Sequence, residues 1–105
     1  MNPFDLGGIT DALENMQRKM QELRADAART EVTGEAGGGA VQVTANGENR
    51  ILAVRITQAA MDDRELLEDL VRAATNEALR KAAEVSAGRL SELAAGLPIP
   101  PGLLP

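Results

Sequence analysis

Glu31 to Glu48 reads EVTGEAGGGAVQVTANGE, a glycine run set beside alternating valines. Val41, Val43 and Ala45 alternate with Gln42 and Thr44, the period of a half-buried strand. Asn46-Gly47 then signals a two-residue hairpin, because both central residues of a type I′ turn need positive φ. In NRILAVRIT, residues 49–57, Leu52, Val54 and Ile56 alternate with Ile51, Ala53 and Arg55. A two-residue turn sets Val43 opposite Arg50 and Val41 opposite Leu52. One face then carries Val41, Val43, Leu52, Val54 and Ile56, and it needs a helix to cover it. TEVTGEA, residues 30–36, reads as a preceding strand joined through Gly37-Gly38-Gly39.

The same glycines raise the question of a phosphate loop. Such a loop needs a strand before it, a helix after it and a Lys-Ser/Thr pair at its end. A dinucleotide fingerprint also needs the following helix, whose N-terminus faces the pyrophosphate. Here the glycines lie between two strands and no lysine follows. The expectation is that they turn the chain.

Upstream, Leu6, Ile9, Leu13, Met16, Met20, Leu23 and Ala27 recur at spacings of three and four, an apolar heptad stripe. Gly7 and Gly8 weaken its first turn, at about 1 kcal/mol each relative to Ala. The firm helix is expected over 9–28, with Glu14–Arg18 and Arg18–Glu22 as supporting pairs. The stripe suits packing within the chain and an intermolecular coiled coil equally well. Downstream, a longer helix is expected over 62–95. Asp62 and Glu65 form an Asp version of the capping box, and Asp63 adds favourable charge at the helix start. Leu67, Leu70, Val71, Ala74, Ala78, Ala82 and Val85 lie along one broad stripe. GLPIPPGLLP, residues 96–105, cannot continue a helix and reads as an extended, mobile tail. The organisation is one α+β domain over 1–95, with strands at 30–36, 40–45 and 49–57 between the helices.

Composition narrows the function. The chain has 105 residues, one aromatic (Phe4), no cysteine and no histidine. Disulfides, thiolate nucleophiles, Cys-ligated metals and histidine bases are excluded. No cofactor and no enzymatic activity are expected. A core without rings, in so short a chain, also favours self-association. The start of the chain lacks the marks of a signal peptide and no run is long enough to span a bilayer, so a cytoplasmic protein without membrane contact is expected.

Net charge is −5, from sixteen acidic and eleven basic residues, so there is no bulk attraction to nucleic acid. Two segments are nevertheless locally basic. Arg18, Lys19, Arg24 and Arg29 stand against Glu22 and Asp26. Arg72, Arg80, Lys81 and Arg89 stand against Glu77 and Glu84. With four basic residues against two acidic, each is net positive by two. Such groups, doubled in a dimer, suit phosphate contacts along a duplex, and they also suit a solvated, ion-paired surface. The acidic cluster Asp62, Asp63, Glu65, Glu68 and Asp69 lacks metal-binding spacing and reads as helix capping and solvation. Glu68–Arg72 and Glu77–Lys81 are i,i+4 pairs that consume part of the acidity.

EVTGEAGGGAVQVTANGE, followed by LLEDLVRAATNEALRKA at 66–82 and the proline-rich end, resembles the YbaB/EbfC family of bacterial nucleoid-associated proteins. The resemblance covers nearly the whole chain. It departs at Thr57-Gln58, where the family usually has Asp-Pro. It implies an α-β-β-β-α fold and an intertwined, tweezer-shaped homodimer. Leu13, Met16, Met20, Leu23, Val41 and Val43 are the expected dimer interface. The resemblance also implies binding to double-stranded DNA with low sequence specificity, in nucleoid organisation, gene regulation and recombinational repair. Carried over to this chain, the DNA-contacting positions are Arg18, Lys19, Arg24, Arg80, Lys81 and Arg89. The alternative is a protein-interaction adaptor for a recombination or replication factor, with DNA binding weak or absent.

Overall fold

The computed structural model describes residues 6–95; the expected proline-rich tail, 96–105, lies outside the described residues. Helix α1, Leu6–Arg29, is followed by strands β1, Glu31–Ala36, β2, Val41–Asn46, and β3, Ile51–Ile56. A 3-10 turn, Gln58–Asp62, then leads into α2, Arg64–Ala95. The strands form one antiparallel meander in the order β1-β2-β3. This is the expected α-β-β-β-α arrangement.

The glycine run turns the chain. Gly37, Gly38 and Gly39 take φ of +66°, +67° and +91°, a left-handed path between β1 and β2 that residues bearing a Cβ rarely adopt. Helix α1 begins at Leu6 rather than Ile9, so Gly7-Gly8 loosens the first turn without breaking it.

The second hairpin departs from the expected register. Its turn holds three residues, Gly47, Glu48 and Asn49, closed by a bond from the Asn46 amide to the Arg50 carbonyl at 3.0 Å. Asn49, not Gly47, has the positive φ, at +64°. This is the type I turn plus left-handed residue of a three-residue loop. A bulge between Thr44 and Ala45 shifts the register again, so Val43 pairs with Val54 and Val41 with Ile56. The physical reason lies in Gly47, which is pressed against α1. A Cβ there would lie 2.8 Å from both the Ala27 carbonyl oxygen and the Val85 side chain. Glycine is needed for space, not for φ.

Helix α2 starts one residue later than Asp62 capping requires. The Asp63 carboxylate accepts from the Leu66 amide at 3.1 Å, and its carbonyl accepts from Leu67 at 2.9 Å. Asp63 is therefore the N-cap, and no Glu stands three positions on to complete a capping box. At the family's usual Asp-Pro position, Thr57 and Gln58 lead into the 3-10 turn.

The core is narrow. Val41, Val43 and Ala45 of β2 meet Ala74, Ala78 and Ala82 of α2, all at zero exposure. Val32, Ala36, Leu67, Leu70 and Val71 pack around them. Each buried valine contributes about 1.5–3 kcal/mol. The alanine stripe brings α2 almost onto the sheet, and Gly34 of β1 is the position it presses. Helix α2 covers β1 and β2. It leaves β3 bare: all six of its residues are exposed. Val54 and Ile56 pair with Val43 and Val41, so they share the helix-side face, yet they are 48% and 40% exposed.

Candidate nucleic-acid interface

The basic residues fall into two chemical states. On α1, Arg18, Lys19 and Arg24 are exposed, and among the described residues they make no ion pair. The expected pairs Glu14–Arg18 and Arg18–Glu22 do not form. An exposed pair gains only about 1 kcal/mol of Coulomb energy in water and loses rotamer freedom, so correct spacing permits such a pair without enforcing it. At ~100° per residue, Lys19 and Arg24 flank the apolar stripe on its two sides, and Arg18 lies opposite it. One flat surface cannot meet all three at once.

The cations of α2 are engaged. Arg80 donates to Glu77 at 2.8 Å and to Glu84 at 2.6 Å. The hydrogen bond to Glu77, then the charges of Glu77 and Glu84, raise the Arg80 pKa further above its already high value. The same hydrogen bond holds the Glu77 carboxyl below its ordinary range, outweighing an opposing desolvation with help from the charges of Arg80 and Lys81. Lys81 lies 3.9 Å from Glu77, and its Nζ donates to the Thr33 carbonyl of β1 at 2.7 Å. Two cations against two carboxylates leave this patch electrically neutral. Arg89 reaches Thr30 Oγ1 at 3.4 Å and Glu92 at 3.7 Å, and its buried Nε has no partner among the described residues. The fold thus does not gather the six expected contact residues into one array.

Two further cations escaped a reading confined to helices. Arg50 at the hairpin turn and Arg55 on β3 are exposed and unpaired among the described residues. Arg55 pairs with Gln42, on the sheet face away from α2. Its place in the alternation of NRILAVRIT was the available signal. For Arg50 there was none, because its setting depends on the turn type.

The expected interface residues also divide. Val41 and Val43 are fully buried under the chain's own α2, and Leu23 is 9% exposed, so these side chains are occupied within the chain. Leu13 and Met16 remain 57% and 40% exposed. Between α1, the hairpin turn and α2 lies an open cleft of about 310 Å³, lined by Met20, Leu23 and Ala27 with Ser86, Arg89 and Leu90. A second open groove of about 370 Å³ adjoins it along α1, past Met16 and Leu13.

The acidic residues at the start of α2 cap and solvate. Asp63 caps the helix, Glu68 pairs with Arg64 at 3.0 Å, and Asp69 with Arg72 at 3.3 Å. Glu68 therefore takes the preceding arginine rather than the expected Arg72. Among the described residues no three acidic groups converge as a metal site, and no helix is long and apolar enough to cross a membrane.

Comparison with known proteins agrees with this geometry. The chain is 44% identical over 97 residues to a nucleoid-associated protein of Polynucleobacter necessarius subsp. necessarius (strain STIR1), covering 92% of this chain and 91% of that one. Its fold matches the crystal structure of the uncharacterized protein HP0035 from Helicobacter pylori with a TM-score of 0.74 at 25% identity, over 91% of this chain and 99% of that one. Residues 1–97 match the profile of one family, and the chain belongs to it: the YbaB/EbfC DNA-binding family.

Proposed function

We propose that the protein is a homodimeric, nucleoid-associated protein of the cytoplasm that binds duplex DNA through phosphate contacts with little sequence specificity. Its roles are nucleoid organisation, gene regulation and recombinational repair, and it catalyses no reaction. Family membership supports the DNA partner, and the relative's name supports the nucleoid. The observation that carries the reading is the state of α1: Arg18, Lys19 and Arg24 are exposed and make no ion pair among the described residues, in a chain of net charge −5. Exposed cations on long side chains neutralise phosphates without reading bases.

The uncovered sheet supports the homodimer. Edge strands are protected by charge or by a covering element. β1 has α2 above it and Lys81 on its Thr33 carbonyl. β3 has no covering element among the described residues, its one charge, Arg55, lies on the face away from α2, and its apolar residues are exposed. A second copy seated on β3 buries Val54 and Ile56 and doubles the cation set.

Each α1 can turn about two of its three cations toward a duplex, so a dimer neutralises about four phosphates. Affinity then falls about a hundredfold between 50 and 200 mM salt. Gel shift on duplex DNA across that series is the test. No shift at low salt with micromolar dimer overturns the reading.

The adaptor reading, with a recombination or replication factor as partner, draws on the bare stripe of α1, where Ile9 is 52% and Leu13 57% exposed. Charge reversal at Lys19 and Arg24 separates the two. Loss of DNA binding with intact cellular function favours the adaptor.

A further inference from the structure

We propose that Arg50 and Arg55 form a second phosphate-contacting site, on the sheet face away from α2 and separate from the cations of α1. The site rests on the DNA reading and extends it to the sheet.

The bulge in the second hairpin brings the two arginines together. Five positions apart on a regular strand, they would point to opposite faces. Against β2, however, Arg55 pairs with Gln42, and the Asn46 amide bonds the Arg50 carbonyl at 3.0 Å. Five steps of β3 therefore run against four of β2, because Thr44 pairs with Ala53 while Ala45 pairs with Ile51. Leu52 is the extra residue. Gln42 and Asn46 belong to the face of β2 that alternates with Val41, Val43 and Ala45, so the register puts Arg50 and Arg55 on that face too. Re-aiming a side chain is a recurrent use of a bulge.

The surroundings suit a polyanion. Both arginines are exposed, and neither makes an ion pair among the described residues. Glu35, in the row of Arg55, accepts from the Gln42 side-chain amide at 3.0 Å. Glu35 and Glu31 stand on β1, two strands or about 9.6 Å from β3. That is about one Debye length at physiological salt, so their charge is largely screened. Glu48 of the turn lines the cleft toward α1 instead. Between the arginines runs a row of small side chains, Thr33, Thr44 and Ala53, over which a duplex can approach closely. Four ladder steps set Arg50 and Arg55 about 14 Å apart, close to the major-groove width of about 12 Å. The two guanidiniums can therefore hold phosphates on either side of a groove, and their forked donors match phosphate oxygens. A second copy over Val54 and Ile56 covers the opposite face and leaves this one open.

The test compares the full-length parent with Arg50→Gln/Arg55→Gln and Arg50→Lys/Arg55→Lys, by gel shift on duplex DNA across a salt series. The Gln pair should weaken binding to a similar degree on every sequence and lower the salt slope by about two phosphates per protomer. The Lys pair should keep most of the slope, because a phosphate contact uses charge. The chain has no cysteine, so Ala53→Cys carries a single photo-crosslinker between the two arginines, and it should capture the duplex. A Gln pair with the parent's slope overturns the site, and so does an Ala53 probe that captures nothing, while the DNA reading still stands on Lys19 and Arg24. Equal loss in the Lys and Gln pairs marks a structural effect and overturns it as well. If a variant loses helicity, the Ala53 probe decides, since that chain keeps both arginines. A parent that binds no duplex ends both readings.

Discussion

The side-chain amide of Asn46, at the end of β2, donates to the carbonyl of Ala28, at the end of α1, at 3.2 Å. Asn46 Oδ1 meanwhile accepts from the Glu48 amide at 3.0 Å and the Arg50 amide at 3.2 Å. One buried residue therefore closes the second hairpin and satisfies a terminal carbonyl of α1. The Gly47 amide does the same for Ala27 at 2.8 Å. Helix ends leave four carbonyls unpaired, and here the hairpin turn supplies the partners. The angle at which α1 leaves the sheet is set by this contact. Replacing Asn46 by Ala strands buried groups on both elements. The expected loss is about 1–3 kcal/mol, read as a lower urea midpoint, with faster amide exchange throughout α1. Asn46→Asp keeps the acceptor and loses the donor, so it should preserve the hairpin and still loosen α1. Unchanged exchange in α1 for both variants would show that the helix is held elsewhere.

Gly34 measures how closely α2 lies on the sheet. A Cβ built there falls 2.3 Å from both the Ala74 carbonyl oxygen and the Ala78 nitrogen, and backbone cannot swing aside as a side chain can. Gly34→Ala should therefore cost about 3 kcal/mol or more, above the usual range for overpacking. Gly38→Ala meets nothing within 4 Å, and its penalty comes only from a φ of +67°. That is about 1–2 kcal/mol. Thermal unfolding of the two variants should rank them in this order. Equal losses would mean that the helix can lift off β1 at little cost.

How much of this was legible in the sequence depends on the reach of each interaction. The strand alternation of Val41, Val43 and Ala45, the turn at Gly37–Gly39 and the alanine stripe of α2 are local patterns, and each element formed where its pattern placed it. The hairpin register was not legible, because Asn46-Gly47 carries a strong local turn signal that a tertiary contact overrides. Gly47 sits against Ala27, twenty positions away, and Asn46 bonds Ala28. The cations show the same limit. Glu77, expected to pair with Lys81, holds Arg80 more closely, and the spacing around Arg18 produced no pair at all among the described residues. That a strand would be left without cover could not be read from NRILAVRIT, since the alternation is the same whether α2 or a second chain lies over it.

Releasing the α2 cations should strengthen DNA binding. Glu77 holds Arg80 at 2.8 Å and lies 3.9 Å from Lys81. Glu77→Gln removes one negative charge and leaves both cations more available to phosphate. The salt slope should steepen, approaching one further phosphate per protomer. Arg80→Gln alone should change affinity little, whereas Lys19→Gln with Arg24→Gln should weaken it across all sequences and flatten the slope. Acid should act like the Glu77 substitution. The folded-state pKa of Glu77 is depressed, so its stabilising contact is present above the ordinary value of 4.5 and is lost as pH falls through the lower folded value. Titration of Glu77 by NMR checks the sign. A pKa at or above 4.5 would mean that Arg80 is not held by Glu77 in solution, and the gain on Glu77→Gln should then vanish as well.

The exposed face of β3 sets the last expectation. Val54 and Ile56 stand opposite Val43 and Val41, the most deeply buried side chains of β2, yet α2 does not reach them. If a second copy supplies their cover, Val54→Asp with Ile56→Asp places two charges in an apolar seam while leaving the contacts of α2 with β1 and β2 intact. Sedimentation should then show a monomer, and the melting temperature, concentration-dependent in the parent protein, should become independent of concentration. DNA affinity should fall as well, because a monomer presents half the cations and the salt slope halves with them. The order of effects distinguishes this from simple unfolding: helicity persists, association is lost first, and DNA binding follows. A double variant that remains a dimer would place the interface off β3 and leave the exposure of these two side chains without a partner to explain it.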